Sequence, residues 1–276
     1  MHVSVVHRTI YRYSVPVQLA SHLVRLTPRW QGVQSHSQVL NVLLAPAAPV
    51  ARFEQSDAYG NATIRLEFSG TTQLLDIESR LEVQTLLPAP LAPHCAPWPW
   101  PLTATSGSDA SVAKFARGLV AQAGQQVVPF LDLLAHTLYT RTRQMTRTEG
   151  AAQPAALTLA AAEGSCRDLA ALFVAACSSL GMTSRFASGY LAPADTLDLP
   201  RQMHAWAEVW LPDRATGQGR FFGWDPALGR RVADKHVCLC VAPEPSATLP
   251  IEGGYSFIGS QLTTTLDYDI RMRVSP

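Results

Sequence analysis

Residues 164–180 read Gly164-Ser165-Cys166-Arg167-Asp168-Leu169-Ala170-Ala171-Leu172-Phe173-Val174-Ala175-Ala176-Cys177-Ser178-Ser179-Leu180. Leu169, Leu172, Phe173, Ala176 and Leu180 share one helical face, and Ser165 followed three residues later by Asp168 is a capping-box pattern, so the spacing predicts a helix entered at Ser165. Cys166 then falls in the first turn. Unpaired backbone N–H groups and the positive end of the helix dipole favour a thiolate at such a place, and Arg167 adds charge of the same sign. Gly164 gives the chain freedom to turn and lets a substrate backbone come close. Cys177, in the middle of the apolar run, reads as a small buried hydrophobe instead.

Downstream, His204-Ala205-Trp206-Ala207-Glu208-Val209-Trp210-Leu211 alternates as a strand does. Ala205, Ala207, Val209 and Leu211 form one face; His204, Trp206, Glu208 and Trp210 form the other. An imidazole at the strand start with aromatic neighbours is a candidate base. The run Phe221-Phe222-Gly223-Trp224-Asp225-Pro226 ends in an acid stopped by proline, where a carboxylate at a strand end can reach a neighbouring histidine. Cys166, His204 and Asp225 therefore follow in order with gaps of 38 and 21 residues, and a helix followed by a hairpin can bring them to one end of a sheet. His236, Cys238 and Cys240 also share one face if they lie on a regular strand. They lack a fourth ligand at matching spacing, and Cys-x-Cys is unlike the Cys-x-x-Cys pairs of structural zinc sites, so no metal is expected.

The upstream half has a different period. Ala62, Ile64, Leu66 and Phe68 alternate with polar residues, as do Leu75, Ile77, Leu81 and Val83; Tyr59-Gly60-Asn61 is a turn, and Thr9–Tyr13 and Val39–Leu44 are further strands. An antiparallel, sandwich-like β domain over residues 1–87 follows. Six of the fourteen residues from Pro88 to Pro101 are proline, which excludes a helix or central strand and sets a linker at 88–108, with His94 and Cys95 as solvated residues inside it. From Asp109 to about Tyr139 the spacing is helical, with Pro129 near a second helix start. Arg141, Arg143 and Arg147 read as a solvated loop. The alternating run from Leu262 to Val274 reads as a long half-buried strand closing a domain at 109–276.

The composition excludes several function classes. Twenty-two basic against 21 acidic residues leave a net charge of +1, without the cationic surplus that nucleic-acid binding needs. Five cysteines, an odd number at uneven spacing, do not make a disulfide scaffold, and the N-terminus lacks a signal-peptide pattern, so a reducing cytoplasm is expected. The longest uncharged stretches are proline-rich or too short for a bilayer. The partner expected is a peptide or protein substrate, with neither nucleic acid nor membrane.

Gly164-Ser165-Cys166-Arg167-Asp168, Gly181 before Arg185, Ser188-Gly189-Tyr190, His204-Ala205-Trp206 and Trp224-Asp225-Pro226 together resemble the bacterial transglutaminase-like superfamily of cysteine proteases. Tyr11-x-Tyr13, Leu26-Thr27-Pro28-Arg29 and Tyr59-Gly60-Asn61 resemble its N-terminal β domain. The resemblance implies an α+β fold, with an N-terminal β-sandwich-like domain before a papain-like, transglutaminase-like core whose cysteine helix packs on an antiparallel sheet. It implies Cys166 as nucleophile, His204 as base and Asp225 as the orienting acid, with no cofactor. Gly164, Ser165, Trp206 and Trp224 would bind substrate or shape the cleft. Two positions depart from the family pattern: Ala227 replaces a Thr after Asp-Pro, and Val241-Ala242-Pro243 replaces a Gly-Arg-Asp. A papain-type arrangement is excluded because its histidine follows more than a hundred residues after the cysteine. The related zinc amidases carry Cys-x-x-Cys pairs, which this chain lacks. The implied activity is acyl transfer or hydrolysis of peptide or glutamine-type amides. A chain that reads as cytosolic and without a prodomain leans toward hydrolysis over cross-linking, and a non-catalytic interaction module is the rival.

Overall fold

The computed structural model describes residues 1–88, 109–147, 150–193, 199–212 and 219–275; the expected linker around His94 and Cys95 lies outside the described residues apart from Pro88. Period-two alternation builds the first 85 residues into β1 (His2–Leu19), β2 (His22–Val24), β3 (Val33–Ala45), β4 (Val50–Ser56), β5 (Ala62–Phe68) and β6 (Thr72–Thr85). In one antiparallel sheet β6 lies between β1 and β3; in the other β5 lies between β2 and β4. Val3, Val5, Leu75, Ile77 and Leu81 of the first sheet share a core with Val24, Ile64 and Leu66 of the second. Two sheets that bury facing sides between them make a sandwich.

The second part contains α1 (Ala110–Gln122), α2 (Val127–Arg141), β7 (Arg143–Gln144), α3 (Ala155–Ala161), β8 (Glu163–Gly164), α4 (Cys166–Ser178), β9 (Ser184–Leu191), β10 (His204–Pro212), β11 (Gly219–Asp225), β12 (Arg230–Arg231) and β13 (His236–Ala242). The strands β9 to β13 form one antiparallel sheet in the order β12-β11-β10-β9-β13. The predicted apolar face of α4 is buried: Leu169, Leu172 and Phe173 join Phe130 and Leu134 of α2, Ala207 and Val209 of β10, and Trp224 of β11 in one core. Each Leu, Phe or Val among them contributes roughly 1.5–3 kcal/mol when fully buried. This core fixes α4 across the sheet. Its N-terminus lies where β10 begins and β11 ends, because antiparallel neighbours put a strand start beside a strand end.

The end of the chain differs from the sequence expectation. The strand is present as β16 (Thr264–Ser275), but it pairs with β1 from His2↔Ser275 to Tyr13↔Thr264 and so belongs to the N-terminal sheet. The short strands β14 (Ile251–Glu252) and β15 (Tyr255–Ser256) likewise pair with β2 and β1. The unit assigned to 109–276 therefore gives its last segment back to the first. An 18-residue strand with one bare edge exposes a row of unpaired N–H and C=O groups, and β16 covers that edge.

Candidate active site

Cys166 stands at the first position of α4 with Ser165 as N-cap. The cap works through Asp168, whose Oδ2 accepts from both the N–H and the Oγ–H of Ser165, each at 2.7 Å. Its Oδ1 accepts from the Gln153 N–H at 2.8 Å and from the Arg147 guanidinium at 2.9 Å. The carboxylate is fully buried, so four donors replace its lost hydration. Arg167 donates to the carbonyl oxygens of Arg147 and Gly150. The basic loop is thus tied to the helix start, and Arg147 is a partner of Asp168, not a solvated residue.

His204 opens β10 opposite Gly189, and Asp225 closes β11. The His204 Nε2–H donates to Asp225 Oδ2 at 2.7 Å. Asp225 Oδ1 accepts the backbone N–H groups of Ala227 at 2.9 Å and Leu228 at 3.2 Å. Burial opposes protonation of His204, but hydrogen bonds to Asp225 and Cys166, with the charge of both, outweigh it and raise the imidazole to about 10. Burial also works against the Asp225 carboxylate, yet hydrogen bonds from His204 and His236 hold it down at about 2. Exposure is graded: Cys166 is half-buried, the His204 side chain is 13% exposed, and Asp225 is sealed. A reacting group can reach the sulfur and the imidazole, and the acid acts only through the imidazole.

The structure thus brings the three expected residues together. The residues expected to bind substrate or shape the cleft, Gly164, Ser165, Trp206 and Trp224, are all buried. Ser165 is occupied inward by Asp168. At Gly164 an added Cβ would meet Asp168 Cβ at 2.9 Å, so glycine there makes room for the Asp168 side chain folded back on the helix start. Trp224 is buried against Phe173 in the helical core and donates its indole N–H to Asp132 at 2.9 Å, which makes it a floor beam and not a cleft wall. Trp206, also buried, faces His236 edge-on with ring centroids 5.2 Å apart and backs His204 at 6.4 Å.

His236 escapes the sequence reading as part of this site. Its Nε2–H donates to the same Asp225 Oδ2 at 2.9 Å. In the sequence it pairs by period with Cys238 and Cys240, but a register shift between those cysteines breaks the alternation. Cys238 packs with Trp206 and Val241, whereas Cys240 enters the N-terminal core, so the expected common face does not exist. The ligand atoms of His204, Asp225 and His236 lie within 4.8 Å of one another, a set of donor types that could hold a metal. The carboxylate oxygen stands 2.7 and 2.9 Å from the two imidazole nitrogens, however. Ligands on a tetrahedral shell of about 2.0 Å radius sit roughly 3.3 Å apart, so these are proton-sharing distances.

A sulfur on a helix start thus meets an imidazole and a carboxylate carried by adjacent antiparallel strands. Residues 3–84 match the bacterial transglutaminase-like N-terminal region and residues 114–226 match the transglutaminase-like superfamily. The two matched regions together span most of the chain, and each is similar to the family whose model it matches. It is 26% identical to an uncharacterized protein of Mycobacterium tuberculosis over 90% of this chain and 86% of that one, and 24% identical to one of Mycobacterium leprae over 93% and 94%. The crystal structure of a candidate cysteine protease from Cytophaga hutchinsonii shares the fold with a TM-score of 0.63, at 15% identity over 99% of this chain and 98% of that one. Both departures from the family pattern fall where backbone does the bonding: Ala227 through its N–H to Asp225, and Val241 through its N–H and C=O to Asn61.

Proposed function

We propose that the protein performs thiol-dependent acyl transfer on peptide or glutamine-type amides, with Cys166 as nucleophile, His204 as base and acid, and Asp225 as the group that orients the imidazole. The observation that carries this reading is the continuous line from buried Asp225 through His204 to half-buried Cys166. The thiolate of Cys166 attacks the amide carbonyl carbon, and the His204 imidazolium gives its proton to the departing amine as the C–N bond breaks. The product is a thioester and a neutral imidazole. Water, losing a proton to His204, attacks the thioester and releases the acid and the thiolate. The Cys166 N–H, one of the unpaired donors of the first helical turn, suits the oxyanion. Hydrolysis is favoured over cross-linking because water needs no binding site, whereas transamidation requires a site that admits an amine and excludes water.

Incubation of the full chain with a glutamine-containing peptide library, with and without a primary amine, separates the outcomes. Peptide cleavage or ammonia release indicates hydrolysis, and amine incorporation indicates transamidation. Turnover that survives Cys166→Ala would falsify the nucleophile assignment. A non-catalytic module would show no turnover and no His204-dependent reactivity of Cys166.

A further inference from the structure

The carboxylate at the centre of the site has two imidazoles on one oxygen. Asp225 Oδ2 receives His204 Nε2–H at 2.7 Å and His236 Nε2–H at 2.9 Å, and Oδ1 receives two backbone N–H groups. His236 Nδ1 faces the Ala233 N–H at 3.2 Å and the Ala233 carbonyl at 3.3 Å, so the ring keeps a partner there whether or not Nδ1 carries a proton. The titratable groups facing Asp225 are His204 of β10 and His236 of β13; those facing His204 are Asp225 and Cys166 of α4.

β13, which carries His236 and pairs with β9, is also bonded by the other domain. Asn61, fully buried, donates Nδ2–H to the Val241 carbonyl at 2.8 Å and accepts the Val241 N–H on Oδ1 at 2.9 Å, as a neighbouring strand residue would. The Arg29 N–H donates to the Cys238 carbonyl at 2.8 Å, and the Arg29 guanidinium donates to Asn61 Oδ1 at 2.6 Å. Asp57 completes the clamp, accepting from the Asn61 amide at 2.7 Å. These bonds grip β13 on both sides of its bulge. At Gly189, where β9 meets that bulge, an added Cβ would stand 2.0 Å from the Val237 carbonyl oxygen and 3.0 Å from the Trp206 ring, so the close approach of β13 depends on glycine.

We infer that His236 is a positioning residue which locks the Asp225 carboxylate toward His204, and that the N-terminal domain sets it by clamping β13 through Asn61 and Arg29. A carboxylate with donors on every side cannot rotate away from the imidazole, and a bond to a charged acceptor is among the stronger ones available. The inference rests on the acyl-transfer reading above, and its test separates the two.

The experiment follows iodoacetamide alkylation of Cys166 by peptide mass spectrometry against pH, in the full-length wild type, His236→Leu, His236→Gln, Asn61→Ala and His204→Ala, with thermal melting alongside. His236→Leu is expected to slow alkylation at pH 7 by roughly tenfold and move the acid limb upward, while His236→Gln, whose amide can donate to the same oxygen, restores most of the rate. Asn61→Ala should move the limb in the same direction by less. Leu and Ala variants that melt lower but keep the wild-type limb overturn the inference, because a merely structural role changes melting alone. If wild-type Cys166 is no more reactive than in His204→Ala, the acyl-transfer reading fails and takes the inference with it. If His204 matters and neither His236 nor Asn61 does, only the inference fails.

Discussion

At the residue scale the site works by pairing opposed environments. His204 is lifted to about 10 and Asp225 is held at about 2, so imidazolium and carboxylate coexist across the neutral range. A raised imidazole contributes stability that is complete below its ordinary value of 6.5 and is lost as pH climbs through about 10. A depressed carboxylate contributes stability that is complete above its ordinary value of 3.8 and is lost as pH falls through about 2. The pair should therefore support the fold most between roughly 4 and 6.5, and Asp225→Asn should flatten this pH dependence in thermal melts. NMR titration of the His204 ring should find it protonated at pH 8 in the wild type. In Cys166→Ala its titration should move down, because the sulfur is one of the groups that raise it. In turnover, Asp225→Asn is expected to lower the rate by a few orders of magnitude with the fold retained, by analogy with the measured loss in a serine-protease triad.

At the element scale, α4 is held from two directions. Its apolar face is in the core, and its first turn is fastened by Asp168. The apolar face was legible in the sequence because a 3.6-residue period survives in the primary chain. So was the Ser165–Asp168 relation. The role of Arg147 was not, because the bond spans 21 positions and only the return of the loop onto the helix start creates it. Removing the Asp168 carboxylate leaves the Ser165 and Gln153 donors unpaired, while the partly exposed Arg147 keeps the Ala151 carbonyl, so Asp168→Ala should destabilise by about 1–3 kcal/mol in urea titration. Gly164→Ala drives a methyl against the Asp168 Cβ and the Thr158 methyl and should cost about 1–3 kcal/mol. Leu172→Ala, in the helical core, should cost about 2–5 kcal/mol while leaving the Cys166 alkylation profile in place.

At the scale of the whole molecule, the chain begins and ends in one sheet, and the N-terminal core takes Tyr190, Val237 and Leu239 from the strands of the other half. A fragment of residues 109–276 would expose those side chains and leave β14, β15 and β16 without partners. It is expected to bind a hydrophobic dye and to show poor amide dispersion in NMR, whereas the full chain should melt in one transition. Two folded halves with additive melts would count against this coupling.

The sequence by itself determined the two β and α periodicities, the helix start at Ser165 and the ordered set Cys166, His204 and Asp225, because each is written in local spacing. Only the tertiary structure decided that β16 closes the first sheet, that Trp224 is a core residue and that His236 shares the carboxylate with His204. Those facts depend on which distant edges meet: β13 crosses to the β9 side of its sheet, a bulge resets the facing of its residues, and Asn61 grips it from 180 positions away. Strand order and bulges are settled by the packing of whole sheets, and no local period in the chain records them.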